Sequence, residues 1–345
     1  MRYFITGHTG FKGSWLTLWL ASQGHEVYGL SLDPEPGSLF ELAGIGELCS
    51  LDQRGDIRDS ELVNAAIKNS APDVVVHMAA QPLVLDSYKR PRWTMETNVM
   101  GTLNVLEAVG IQKDIKALLV VTTDKVYRNL DQRQGYLETD ALGGDDPYSA
   151  SKAMADILTH SWAKSFPGTR TAVARAGNVI GGGDVSPDRL LPDIVANLRA
   201  GSDVVLRHPD AVRPWQHVLD CLNGYRMLVD ALISAKGDDD FDDGWNFGPD
   251  AESFVSVGKM TTKALKYSGS HNSWSAEVNG KLHEAQFLSL DSNRAKRTLG
   301  WGSLLGVDDA LMWTLDWHKE IDSGLSAREV TLGQINKFRH LMSQI

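Results

Sequence analysis

Ile5-Thr-Gly7-His-Thr-Gly10-Phe-Lys-Gly13-Ser-Trp-Leu16 is the stretch on which the reading of the fold turns. Three glycines, three apart, sit between a short apolar run, Tyr3–Ile5, and a helix-length segment, Phe11–Gln23. Glycines there let the backbone turn tightly and approach a pyrophosphate, while the following helix offers free N–H groups and a positive dipole to the anion. A glycine-rich strand-to-helix turn without a ligand has the same pattern. What gives it weight is its place in the first strand–turn–helix unit, followed 20 residues after Gly13 by Asp33 at the end of the second strand. A carboxylate at that point takes adenosine ribose hydroxyls and repels a 2′-phosphate, so NAD is expected over NADP, with Lys12 keeping the phosphorylated form in play. Gly7, Thr9, Gly10, Phe11, Lys12 and Gly13 are the expected cradle. Asp56 and Ile57, after Gly55, are placed at the adenine. Ala79, Ala80 and Gln81, after His77-Met78, are small or polar enough to let a cofactor lie close, and Asn98 is counted with them as support for a strand turn or a structural water. As isolated residues these last six read equally as loop and packing positions.

Outward from that turn, short apolar runs alternate with helix-length segments: Glu26–Leu30, Ser60–Lys68, Val74–His77, Asn98–Val109, Ala117–Thr122, Ser149–Ser165 and Thr171–Arg175. Strict alternation implies right-handed crossovers and a parallel sheet with helices on both faces, an α/β doubly wound (Rossmann) fold. Asp73-Val-Val-Val-His77 and Leu118-Leu-Val-Val121 are unbroken apolar runs, as strands covered on both faces require. After Gly177 the alternation loosens. The expected division is a NAD-binding domain over 1–176 and a smaller substrate-binding lobe over 177–345 that returns some chain to the sheet.

The 345 residues carry 34 Lys+Arg against 44 Asp+Glu, a formal charge of −10. That balance argues against a nucleic-acid backbone or an anionic membrane as main partner, so an anionic ligand needs local basic groups. Cys49 and Cys221 are the only cysteines and form no CxxC, which suggests neither a disulfide framework nor a zinc site, and no metal is expected. With no apolar run of membrane-spanning length and no secretory leader pattern, a soluble protein of the reducing cytoplasm is expected. The acidic stretch Asp238–Asp243 reads as a solvated loop, and the ten Trp as core and lobe-interface residues.

Tyr148-Ser-Ala-Ser-Lys152 puts a phenol and an ammonium at i and i+4 on one face of a helix opening near Pro147. The ammonium favours the phenolate and lowers its pKa toward neutrality, making Tyr148 a base for a sugar hydroxyl. The spacing alone is common. Upstream, Val120-Val-Thr-Thr-Asp124-Lys125 ends a buried strand with hydroxyl, acid and amine together.

With Leu142-Gly-Gly-Asp-Asp-Pro-Tyr-Ser-Ala-Ser-Lys152, Arg175-Ala-Gly-Asn178, Gly181-Gly-Gly-Asp184, Asp188-Arg-Leu-Leu-Pro192 and Arg213-Pro-Trp-Gln-His-Val218, these motifs make the chain resemble the extended short-chain dehydrogenase/reductase family, and within it the nucleotide-sugar 4,6-dehydratases. The resemblance spans residues 6 to 218 and continues to Trp317. It implies NAD as cofactor and four roles: Tyr148 takes the 4-hydroxyl proton, Lys152 holds the nicotinamide ribose, Thr123 bonds the reacting oxygen, and Asp124 protonates the departing 6-hydroxyl. Many dehydratases of this group have Glu where Lys125 stands. Lys there matches the CDP-glucose branch, and leaves open whether it is the base at carbon 5 or stabilises the enolate. The expected substrate is therefore a nucleoside-diphosphate sugar, CDP-glucose foremost. Arg213 matches the family's phosphate-binding Arg, with Arg189 and Asn178 in the same cleft; His217 is either a nucleotide contact or a packed residue, and Pro82 has lower weight. A homodimer through Asn98–Val109 and Ser149–Ser165 is also implied. The competing readings are an epimerase or reductase on another nucleotide sugar, which has no need of Asp124, and an NAD-binding regulator, which has no need of the acid–base set.

Overall fold

The computed structural model describes residues 1–236, 241–277 and 287–344. Thirteen strands are described: β1 (Arg2–Thr6), β2 (Glu26–Ser31), β3 (Leu51–Arg54), β4 (Val74–His77), β5 (Ala117–Val121), β6 (Arg170–Ala176), β7 (Val179–Ile180), β8 (Val204–Leu206), β9 (Val212–Pro214), β10 (Gln216–His217), β11 (Gly244–Phe247), β12 (Phe254–Ser256) and β13 (Trp274–Ala276). The helices are α1 (Phe11–Ser22), α2 (Leu39–Leu42), α3 (Ser60–Ser70), α4 (Val84–Lys89), α5 (Pro91–Met95), α6 (Gly101–Ile111), α7 (Pro147–Ser165), α8 (Leu190–Ala200), α9 (Val218–Ser234), α10 (Val257–Tyr267), α11 (Asn293–Leu299), α12 (Val307–Asp322) and α13 (Ala327–Met342).

Seven strands form one parallel sheet in the order β11-β6-β5-β4-β1-β2-β3. The order reverses direction between β1 and β4, and ligands of doubly wound sheets lie in the crevice outside the carboxyl ends at such a switch point. The register sets Thr6 beside His77 and, across β5 and β6, Val121 beside Ala174, so the loops carrying Gly7, Ala79 and Thr123 leave from one edge.

Each face of the sheet is sealed by helices. On one side α3, α6 and α7 place Val63, Ile67, Val105 and Val109 over Val75, Leu118 and Val120. On the other, α1 is buried from Gly13 to Leu20, because it lies between the sheet and the helices α9 and α13. Trp15, Trp19 and Phe338 fill that layer. A third cluster joins α8, α10 and α12 through Leu191, Ile194, Met260 and Leu311 and roofs the carboxyl edge of the sheet.

Three features differ from the sequence reading. The helix expected over Asn98–Val109 begins as a π turn, Glu96–Met100, and becomes regular at Gly101; such bulges cluster at functional sites. β3, Leu51-Asp-Gln-Arg54, is an edge strand that is half-buried and polar, with no apolar run to announce it. Of the acidic stretch, Asp238–Asp240 lie outside the described residues, whereas Asp242 accepts from Thr171 N (2.7 Å) and Arg170, and Asp243 pairs with Arg294 (2.8 Å). Those two are anchors of the β6–β11 edge rather than a solvated loop. No helix among the described residues is long and apolar enough to cross a membrane.

Candidate active site

The glycine-rich turn is shaped by close approach. Gly7 has φ +77°, and a Cβ there would stand 2.7 Å from Ala79 N, so the two loops touch backbone to backbone. Thr6 Oγ1 accepts from the N–H of Met78 (3.1 Å) and Ala79 (3.2 Å) and bonds His77 Nδ1 (2.7 Å), locking the second loop to the first. Gly10 is the N-cap of α1 and no side chain caps that terminus, so the first-turn N–H groups are available to an anion. The residues present therefore fit a dinucleotide pyrophosphate. Thr9 Oγ1 is turned to Ser31 Oγ (2.6 Å) and Leu32 O, bracing the turn against the end of β2. Phe11 packs against the core on the α1 side.

At the adenosine end Asp33 is exposed, with Arg54 Nε 3.5 Å away. Asp56 is held by Arg58 through four hydrogen bonds, including one from the Arg58 backbone N–H, and beside it Ile57 is buried while its carbonyl accepts from Asn104 (2.8 Å). Ala80 is half-buried in the same loop.

At four of the expected residues the direction of the side chain decides between the readings. Asn98 is buried and fully used: its Oδ1 accepts from Gln81 N (2.7 Å), and its Nδ2 donates to Gln81 O (3.1 Å) and Ser151 Oγ (2.8 Å). It positions the Gln81 loop against α7 and has no N–H left for a cofactor. The Gln81 side chain turns inward as well, bonding Leu83 and Thr94, which sets the path of Pro82-Leu83. Lys12 does not approach Asp33; its Nζ donates to Tyr225 Oη (3.0 Å) on α9, so it carries charge toward the catalytic end instead of the ribose. His217 is no nucleotide contact: it is completely buried, accepts from Leu219 N as the cap of α9, and stands edge-on to Trp15 and Trp313. Burial pushes its pKa down to about 3.

Thr123, Asp124, Lys125 and Tyr148 line a cleft of about 1000 Å³, and Lys152 is buried one helical turn on from Tyr148. α7 starts at Pro147 with Asp146 as N-cap, accepting from Ser149 N (2.9 Å), so Tyr148 projects from the first turn and Lys152 one turn on. Tyr148 N donates to Ser87 Oγ (3.2 Å), tying the helix start to α4. β5 delivers Thr123 and Asp124: the Thr123 hydroxyl donates to Asp124 Oδ1 (3.0 Å) and shares a hydrogen bond with Tyr148. Lys152 Nζ donates to Val121 O (2.8 Å).

Electrostatics departs from the sequence reading at Tyr148. Burial raises its hydroxyl to about 12, with Thr123 and Arg189 acting the other way. Lys152 is itself brought down to about 7 by burial and by the Lys12 charge, and its ammonium is spent on the Val121 carbonyl. In the protein alone, desolvation of the phenolate outweighs the i+4 cation. Asp124 is 3% exposed and its carboxyl is held above the ordinary range by burial, against the opposing charges of Lys125 and Arg213. Burial thus shifts the carboxyl in the direction that a general acid requires.

Lys125, Asn178, Arg189 and Arg213 line the same cleft with Pro82. Arg213 leaves β9 and donates to its neighbour's carbonyl, Val212 O (2.8 Å); Arg189 caps the entry to α8 and acts electrostatically on both Tyr148 and Lys12. Sequence reasoning missed Ser87, Ser151 and Tyr225, single residues with no motif spacing. It also left Arg175 without a role, although the Arg175-Ala-Gly-Asn178 motif contains it.

Residues 3–242 match the NAD dependent epimerase/dehydratase family, and the chain belongs to it. Its cofactor is NAD, which the glycine turn fits. It is 42% identical to the CDP-glucose 4,6-dehydratase of Salmonella typhimurium over 92% of this chain and 90% of that protein. The structure of DesIV, the dTDP-glucose 4,6-dehydratase of Streptomyces venezuelae with NAD bound, superposes with a TM-score of 0.80 at 25% identity, covering 95% of this chain and all of that one. The UDP-glucose 4-epimerase of Thermotoga maritima shares the fold with a TM-score of 0.79 at 20% identity, over 93% of this chain and 99% of that one.

Proposed function

We propose that the chain is a lyase converting CDP-glucose to CDP-4-keto-6-deoxyglucose. The observation that carries this is Asp124, a buried carboxyl with a raised pKa that lines the same cleft as Tyr148 and Thr123, with Lys152 buried one helical turn on from Tyr148. An oxidation or epimerisation at carbon 4 needs only the latter three. Elimination of the 6-hydroxyl needs an acid as well, and Asp124 is that acid.

The cradle of Gly7, Gly10 and the first turn of α1 would hold the pyrophosphate of NAD, with Asp33 at the adenosine ribose, Asp56 at the adenine and Lys152 at the second ribose; the bound cofactor would supply a hydride acceptor for carbon 4 and the same hydride for carbon 6. Tyr148 takes the 4-hydroxyl proton while Thr123 steadies the oxygen that becomes the ketone. The ketone acidifies carbon 5; Lys125 removes that proton or steadies the enolate. Asp124 gives its proton to the 6-hydroxyl, and water departs; a proton returns to carbon 5 as hydride is added at carbon 6, and the proton gained by Tyr148 offsets the one lost by Asp124. Arg213 and Arg189 with Asn178 take the diphosphate, for which fork-shaped guanidinium groups are suited. The sum is loss of one water with no net redox change.

The pieces of chain around the cleft after residue 176 act as the substrate lobe, so the functional division lies at 176/177. The protein works as a cytoplasmic homodimer: Met154 and Ile157 on α7, with Ile111 on α6, are exposed apolar side chains on the helices that the dimer buries. The experiment is to supply CDP-, UDP- and dTDP-glucose in turn without added NAD and follow products by mass. A 4-keto-6-deoxy product from CDP-glucose, with the other two slower, supports the reading. A 4-epimer, or no product from any of them, overturns it.

A further inference from the structure

Arg175 and Asp156 form the most completely buried ion pair among the described residues, at 5% and 2% side-chain exposure, and neither lines the cleft. The guanidinium grips the carboxylate with two N–H groups, Nε to Oδ2 (2.8 Å) and Nη2 to Oδ1 (2.7 Å). Its Nη1 donates to Tyr127 Oη (2.8 Å) and Glu138 O (3.1 Å), and Tyr127 in turn donates to Asn246 Oδ1 (2.7 Å). β11 makes room for the guanidinium with Gly244, where a Cβ would meet it at 2.5 Å. A satisfied buried pair is weak evidence of stabilisation, since apolar residues of similar volume often serve as well. The geometry gives this one another use.

Asp156 lies one helical turn beyond Lys152, as Lys152 lies one turn beyond Tyr148, so the three share a face of α7. That face holds the end of β5 at consecutive residues: Lys152 Nζ bonds Val121 O (2.8 Å), and Asp156 Oδ2 accepts from Thr122 Oγ1 (3.0 Å). The next two residues are Thr123 and Asp124. We infer that Asp156 and Arg175 are a positioning pair: they seat the strand end that carries Thr123 and Asp124 against Tyr148 and Lys152, and their charges belong to the field at the Lys152 ammonium.

The groups facing that ammonium are Lys12 from α1, His77 from β4, the Val121 carbonyl from β5, and Tyr148 and Asp156 from α7 itself. Of the charged groups among these, Asp156 is the one that favours the ammonium, and Arg175 neutralises it. Asp156→Asn removes the favourable charge, so Lys152 loses its proton at lower pH. Arg175→Met unmasks Asp156, so Lys152 holds its proton to higher pH.

The role in catalysis rests on the proposed dehydratase reading, but the titration below does not. Proteins labelled with 13C at lysine Cε are titrated by NMR, with the Lys152 signal assigned by its loss in Lys152→Arg. The two variants are expected to move its midpoint in opposite directions, each by about half a pH unit or more, and Asp156→Asn/Arg175→Met to return it toward the wild-type value. Midpoints that stay within 0.2 units, or that move the same way in both single variants, overturn the inference. Should either single variant fail to fold, Asp156→Glu and Arg175→Lys retain both charges; they are expected to hold the midpoint while kcat falls about tenfold or more and KM stays within about twofold. A KM change equal to the kcat change overturns the positioning role.

Discussion

Asp124→Asn separates the two halves of the proposed reaction. The side chain is nearly isosteric, and its retained oxygen can keep the 3.0 Å hydrogen bond from Thr123, so the turn and Tyr148 are expected to stay in place. What is lost is the acid form that burial favours. Removing a general acid costs a factor of about 10² to 10⁴, equivalent to about 2.7–5.5 kcal/mol in barrier height. Oxidation at carbon 4 does not use that proton. In a stopped-flow experiment with CDP-glucose, reduced-nicotinamide absorbance is expected to build up and persist while product falls by that factor. Stability supplies a control: because the folded pKa of Asp124 is raised, its contribution is largest at low pH and is lost as pH rises through the folded value. The Asn variant lacks that loss. Normal product formation with no build-up of reduced cofactor would refute the assignment of Asp124 and return the chain to the epimerase or reductase reading.

Gly7→Ala forces a side chain into a positive-φ position against Ala79, at an expected cost of about 1–3 kcal/mol in stability and about tenfold or more in NAD affinity; unchanged affinity by calorimetric titration contradicts the cradle. Asn98→Ala strands the buried Gln81 N–H and C=O, an expected loss of about 2–4 kcal/mol, read as a lower urea midpoint, with NAD affinity falling only as the Gln81 loop loosens; a variant as stable as wild type contradicts the positioning role. His77 and His217 are each held near pKa 3, below the unfolded value of about 6.5, so the stability they confer is present above pH 6.5 and lost as pH falls toward 3. His217→Gln is expected to flatten the pH dependence of the urea midpoint between pH 6.5 and 4 by up to about 1.4 kcal/mol per pH unit; an unaltered slope means that His217 takes up a proton in the folded state.

How much of this was legible in the sequence depended on which force shaped each residue. Val74–His77 reads correctly to the residue because a strand covered on both faces must be an unbroken apolar run. Leu51–Arg54 escapes because an edge strand needs no such run. The glycine turn, the Tyr148/Lys152 face and the Thr123-Asp124 strand end are written in spacing, and the fold brings them to one crevice. Side-chain direction is not written there. Lys12 turns toward Tyr225, Asn98 turns into the Gln81 backbone, and His217 turns into a tryptophan layer, each decided by packing between elements apart in the chain. At Tyr148 spacing shows the neighbouring cation, whereas burial, which pushes the hydroxyl up to about 12 in the protein alone, is a property of the folded whole.

The central claim is that one hydride leaves carbon 4 and returns to carbon 6 of the same sugar while water is lost between carbons 5 and 6. CDP-glucose carrying deuterium at carbon 4 tests it most directly, with the product read by NMR and mass spectrometry. The account predicts deuterium at carbon 6 of a 4-keto-6-deoxy product, with no isotope released to solvent. Deuterium still at carbon 4 of an epimerised sugar, or a product without the label, would contradict it.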